Sequence, residues 1–150
     1  MKLSPWAILG LAGAAVVLAG AAVVRIVTGF KAGQPLQLRL VTVAPGMELV
    51  EEAAKAWAAM TSAAARDGVA LSLNSAFRSM EKQEQLYARF MRGEGPQAAL
   101  PGYSNHQAGS AVDVETEGGT NASFSWLTAN AARFRFKRTV SAEPWHWEYV

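Results

Sequence analysis

The sequence predicts an α+β domain, a small and largely antiparallel sheet with flanking helices, set behind an N-terminal transmembrane helix. Three observations lead there. Short stretches that alternate apolar and polar residues are interleaved, in mixed order, with amphipathic stretches of helical period. The 150 residues suffice for one domain and not for two ordinary ones. Trp6 to Val24 is a run of 19 residues without a charge, which at 1.5 Å per residue spans about 28 Å, close to the hydrocarbon thickness of a bilayer.

Taken in order, residues 1–30 read as a signal anchor or as a cleaved signal peptide. Lys2 suits the basic n-region, Trp6–Leu18 the apolar h-region and Ala19-Gly20-Ala21 the small-residue cleavage site. Ala22, Val23 and Val24 continue the apolar run past that site, and Ile26-Val27 resume it after Arg25, which favours the uncleaved anchor. Cleavage after residue 21 would instead release a secreted protein. Residues 31–35, with Gly33 and Pro35, read as a linker, and 36–150 as the folded domain.

Within that domain, Leu36, Leu38 and Leu40 alternate with Gln37, Arg39 and Val41, predicting a half-buried strand that Pro45-Gly46 ends. Met47 to Arg66 carries Val50, Ala53, Trp57, Met60 and Ala64 at helical spacing and stops near Asp67-Gly68. Val69, Leu71 and Leu73 predict a second strand. Ser79 is placed to cap a helix over Met80–Arg92 with Gly93 as its stop. Gly93 to Gly102 is a loop, Ala111–Glu115 a short strand and Ser123 a cap for a helix through Trp126, Leu127 and Ala131. Phe134–Val140 and Trp145–Val150 close the sheet.

Charge narrows the function. Setting aside Lys2 and Arg25 beside the apolar run leaves 12 of the 14 Lys and Arg against 12 Asp and Glu. The basic pI near 9.2 thus reports the flanks of that run and gives no basic domain for nucleic acid. Cysteine is absent, which excludes disulfides, thiolate metal sites and cysteine nucleophiles.

Both histidines keep company that suits a metal. His106 lies in Ser104-Asn105-His106-Gln107-Ala108-Gly109-Ser110-Ala111-Val112-Asp113, and His146 in Glu143-Pro144-Trp145-His146. A catalytic zinc takes three protein ligands and keeps one position open, and His106, Asp113 and His146 supply that set. His106 and Asp113 are an odd seven residues apart, so one continuous strand would point them to opposite faces. His106 therefore belongs to the loop, with Gly109 as the bend and Asp113 on the strand. Pro144 supplies a similar bend between Glu143 and His146. On spacing alone the plain alternatives stay open: a hydrogen-bonded core histidine, an edge-strand aspartate, and aromatic residues that serve only the core.

The pattern Ser-x-His-x-x-Gly-x-Ala-x-Asp followed by Glu-Pro-Trp-His-x-Glu-Tyr resembles the VanY-type D-alanyl-D-alanine carboxypeptidases. These are zinc peptidases of peptidoglycan with a fold like the lysostaphin and hedgehog domains. Ser75-Ala76-Phe77-Arg78-Ser79 with Gln83 and Leu86-Tyr87 is similar to the upstream arginine motif of that family, and the likeness covers roughly residues 45–150. The resemblance implies Zn2+ held by His106, Asp113 and His146, with Glu143 as general base and then acid. It implies that Arg78 stabilises the oxyanion, or alternatively binds the terminal carboxylate of the substrate, and that Gln83 and Ser104 contact the peptide.

The implied substrate is a peptidoglycan stem peptide, cut at its terminal bond. The implied place is outside the cytoplasmic membrane of a bacterium, held there through residues 6–24. An endopeptidase of the same family is the alternative activity. A non-catalytic wall-binding module is the alternative class.

Overall fold

The computed structural model describes residues 23–150. The expected transmembrane segment lies outside the described residues up to position 22. Among the described residues no helix is long and apolar enough to cross a membrane.

The first sheet is an antiparallel meander of β1 (Val24–Lys31), β2 (Gln34–Ala44) and β3 (Met47–Val50). It corrects two expectations. The stretch 31–35 is not a linker but the turn of a hairpin, with Lys31 paired to Gln34 and Phe30 to Pro35. Ala32 and Gly33 both take positive φ, 50° and 77°, the two-residue geometry whose twist matches that of the flanking strands. The tail of the expected anchor, from Val24 on, is strand β1. Val24, Ile26, Val27 and Thr28 are β-branched and suit a strand as well as a lipid span. Arg25 is no free flanking charge: its guanidinium holds the Glu48 carboxylate on β3 through Nε and Nη2. That pairing keeps the Glu48 carboxyl below its ordinary range. In β2 the alternation of Leu38 and Leu40, both buried, with exposed Gln37 and Arg39 follows the sequence pattern.

Met47–Val50 forms β3 instead of the first helical turn, because the Pro45-Gly46 turn folds it back on β2. Helix α1 (Glu51–Arg66) then buries Ala53, Ala54, Trp57, Met60, Ala63 and Ala64 along one face. It ends at Asp67, whose carboxylate accepts the Trp126 indole N–H at 2.7 Å.

The second sheet holds β4 (Leu73–Ser75), β5 (Ala111–Val114), β6 (Phe136–Lys137) and β7 (His146–Tyr149) in the order β4-β5-β7-β6, again all antiparallel. The strand expected from Val69 begins only at Leu73, and the strand expected over Phe134–Val140 contracts to two residues. Helix α2 (Met80–Met91) starts at the Ser79 cap, whose hydroxyl accepts the Lys82 N–H at 3.2 Å. Helix α3 (Ala122–Asn130) is capped by Asn121 rather than by Ser123, the Asn121 side chain accepting the Phe124 N–H at 3.0 Å. Ser123 is buried and donates to the Ala70 carbonyl.

One core joins these parts: Leu49, the inner face of α1, Val112 and Val114 of β5, Trp126 and Leu127 of α3, Phe136 and Trp147. Trp57 is 4% exposed and meets Phe136 edge-on, ring centroids 6.1 Å apart. Trp57→Ala is expected to cost about 3–5 kcal/mol of stability, through the lost burial and the cavity left behind. Urea unfolding of the full chain against the wild type measures it.

Candidate metal centre

The second sheet builds the centre by register. Asp113 on β5 pairs directly with His146 on β7 and with Ser75 on β4. Directly opposed residues in an antiparallel pair put their side chains on one face. Val112 and Val114 point the other way, into the core, so the chain cannot slip by one residue without burying the Asp113 carboxylate among apolar groups.

His106 arrives from a single turn of 3-10 helix over Asn105–Ala108, and the chain leaves it through Gly109 at φ 71°, a left-handed position that suits glycine. Two hydrogen bonds fix this turn to the segment after β4. The Arg78 N–H donates to the His106 carbonyl at 3.1 Å, and His106 Nδ1 lies 2.7 Å from the Ala76 carbonyl. His146 enters from the Glu143-Pro144-Trp145 turn, which is closed by its own N–H on the Glu143 carbonyl at 3.2 Å.

The three expected ligands come together. His106 Nε2 is 3.2 Å and His146 Nδ1 3.1 Å from Asp113 Oδ1, and one ligand atom from each residue lies within 4.8 Å of the others. Donors on a four-coordinate zinc are about 3.3–3.6 Å apart when each bond is about 2.0–2.2 Å, so the residues fit such an ion. The tautomer supports the fit. Nδ1 of His106 faces a carbonyl and carries the proton, which leaves Nε2 of the neutral ring as a bare acceptor aimed at a carboxylate oxygen. Two acceptors at that distance need a proton or a metal cation between them.

Burial opposes ionisation of Asp113, but the closeness of His106 and His146 outweighs it and holds the carboxyl well below its ordinary range. His146 Nε2 is buried with no hydrogen-bond partner, which leaves Nδ1 as the ring atom that faces the other donors.

The other expected residues take different places. Glu143 is half-buried, its Oε2 4.0 Å from His146 Nδ1, beside the ligands but not among them. The Arg78 guanidinium reaches to 3.8 Å from Asp113 Oδ2 and donates to Gln83 Oε1 at 3.0 Å. Burial pulls its pKa below the ordinary value against the attraction of Asp113 and Glu143. An arginine stays cationic there.

Gln83 has no exposed surface. Its oxygen is on Arg78 and its nitrogen on the Ala99 carbonyl at 2.7 Å, so this structure gives it Arg78 and the loop as partners where direct contact with substrate was expected. Ser104 lines the cleft beside His106.

That cleft has a volume of about 440 Å3, with Arg78, Glu143 and the three ligand candidates on its floor and Arg89, Tyr103 and Trp145 among its walls. Sequence reasoning passed over the Ala76 carbonyl, which sets the His106 tautomer. A backbone acceptor leaves no residue-type signal. It also left open the role of Glu148, which accepts from Asn105 Nδ2 at 2.9 Å and ties the histidine turn to β7.

Comparison with known proteins follows from this geometry. Residues 46–150 match the family model VanY, D-alanyl-D-alanine carboxypeptidase. A D-alanyl-D-alanine carboxypeptidase of Enterococcus faecalis is 33% identical, over 59% of this chain and 43% of that protein. The chain spans less than half the length of the curated relatives it matches. Among solved structures, VanYB in complex with D-alanine-D-alanine superposes with a TM-score of 0.64 at 28% identity, covering 75% of this chain and 77% of that one. A VanY D,D-pentapeptidase mutant in complex with Zn(II) gives 0.62 at 28% identity, covering 75% and 79%.

The convergence of three donors on one point predicts that the full chain retains about one equivalent of divalent metal after dialysis, and that Asp113→Ala or His106→Ala retains almost none. Elemental analysis by mass spectrometry is the check.

Proposed function

The chain belongs to the VanY family of D-alanyl-D-alanine carboxypeptidases, and on that premise we propose that it is a zinc-dependent carboxypeptidase hydrolysing the terminal D-Ala-D-Ala bond of peptidoglycan stem peptides. The observation that carries this reading is the meeting of His106, Asp113 and His146, with Glu143 and Arg78 beside them, in one cleft.

His106 Nε2, Asp113 and His146 Nδ1 would hold the metal. A bound zinc supplies Lewis acidity at the scissile carbonyl and brings the pKa of water from about 15.7 toward 7. The remaining work falls to the protein. Glu143, half-buried and next to the ligands, accepts the proton of the attacking water and delivers it to the leaving amine. That amine departs as free D-alanine. Arg78 directs its charge at the oxygen that becomes negative in the tetrahedral state, held in aim by Gln83 and by Ser75. Its closeness to Asp113 supports a place beside the scissile bond, from which the guanidinium meets the developing oxyanion or the adjoining terminal carboxylate. Ser104, on the cleft wall, is placed to meet the peptide backbone.

The same reading puts the domain outside the cytoplasmic membrane of a bacterium. The uncharged run that starts at Trp6 serves as its anchor or export signal, and the balanced charge of residues 31–150 offers nothing to nucleic acid.

The test uses the zinc-loaded full chain and a muramyl-type pentapeptide ending in D-Ala-D-Ala, with products followed by mass spectrometry. Release of one alanine is expected. Glu143→Ala should lower kcat about 10²–10⁴-fold, and Arg78→Ala about 10²–10³-fold, both with zinc still bound. Cleavage inside the peptide would reassign the activity to an endopeptidase. Bound zinc without cleavage of peptide or sacculi would leave a wall-binding module.

A further inference from the structure

We infer that the β1–β2 hairpin is a positioning clamp for the loop that carries His106, with Gly29 and Gly33 as its contact points. The inference rests on the metal-site reading above and adds to it a part of the chain, Val24–Ala44, that lies outside the residues matching the family.

The loop is held by the hairpin at two places. At its start, the Gly33 N–H donates to the Gly102 carbonyl at 2.9 Å. A Cβ on Gly33 would come within 2.7 Å of the Tyr103 hydroxyl. The Gly102 N–H in turn donates to Gln107 Oε1 at 2.7 Å, so one residue, Gly102, couples the hairpin turn to the residue next to His106. Gln107 is fully buried. In the middle of the loop, β1 runs against the Gln107 backbone so closely that a Cβ on Gly29 would stand 2.6 Å from the Gln107 carbonyl oxygen and would collide with Leu38.

No side chain fits between β1 and this loop. The carbonyl pressed by Gly29 is one residue from His106, whose ring is fixed on its far side by Ala76. The imidazole therefore keeps its distance to Asp113 only while both sides hold. A displaced loop moves Nε2 off the common point of the three donors, and partners that orient a ligand typically carry about 10–100-fold in metal affinity.

The test compares the full chain with Gly29→Ala and Gly46→Ala. Gly46 is left-handed, φ 70°, unlike Gly29, and sits in the β2–β3 turn with no atom within 4 Å of an added Cβ. It reports the effect of hairpin strain alone. Zinc affinity by chelator competition and the visible spectrum of the Co2+-substituted protein are the readouts, taken well below each unfolding midpoint. Gly29→Ala is expected to weaken zinc about 10–100-fold and to change the Co2+ spectrum. Gly46→Ala is expected to lower Tm and leave both unchanged.

Wild-type affinity and spectrum in Gly29→Ala would overturn the clamp. Equal loss in Gly46→Ala would also overturn it, by showing general destabilisation. Should Gly29→Ala fail to fold, Gly33→Asn carries the test, since asparagine accepts the left-handed backbone and still displaces Tyr103; unchanged zinc binding there counts against the clamp in the same way. A wild-type chain that binds no zinc would overturn the metal centre itself and the clamp with it.

Discussion

Asp113 is the constraint on which the rest depends. Its side chain is only 17% exposed, and a carboxylate so enclosed persists in ionised form only if its charge is matched. Here two imidazoles address a single oxygen, and Arg78 stands 3.8 Å from the other. The strands on either side of β5 serve that enclosure. Strand β4 leads into the Ala76–Arg78 segment, β7 brings His146 opposite, and the 3-10 turn brings His106 over the top. Moving any one would leave a buried charge without its partner, a penalty of several kcal/mol against a total stability of about 5–15 kcal/mol.

The same economy explains why the polar groups around the site are themselves bound. Arg78 is aimed by Gln83, which is anchored to the Ala99 carbonyl, so the loop along the cleft and the cation on its floor share one buried amide. Asn105 and Glu148 tie the histidine turn to β7 from the opposite side. A cleft held by such a network is ordered before a substrate arrives, which is what electrostatic stabilisation of a short-lived state requires.

Legibility in the sequence follows the physics of each residue. The ligand set was readable through the resemblance of the two histidine motifs to the VanY type; the odd spacing of His106 and Asp113, with Gly109 as the bend, allowed that set but left core and edge-strand roles open. The β2 pattern was readable from Leu36, Leu38 and Leu40. The first strand was not, since Val24 to Thr28 satisfy both a lipid span and a strand, and only the Arg25–Glu48 pair, distant in sequence, separates the two. Met47–Val50 continues the helical period of α1, and the hairpin geometry overrides it. Gln83 carries a motif position without declaring that its amide is spent inside the protein. The Ala76 carbonyl and the close passage of Gly29 past Gln107 are backbone relations, and residue identity encodes them only as a small side chain or none.

Formal charge at the cleft floor connects metal, base and substrate. As formal charges, the Asp113 and Glu143 carboxylates against the Arg78 guanidinium leave one net negative charge where the ring nitrogens of His106 and His146 also gather, a place that attracts a cation. A divalent ion held there would reverse the sign to one net positive charge. The floor would then favour negative charge on an oxygen brought against it. Arg78 completes this balance only as a cation that is already buried and already paired. Its partial desolvation, which lowers its pKa, is met during folding. The site is thus built to attract a cation and, with one held, would turn to attract an anion, and the residue at its centre is the one carboxylate the sheet cannot release.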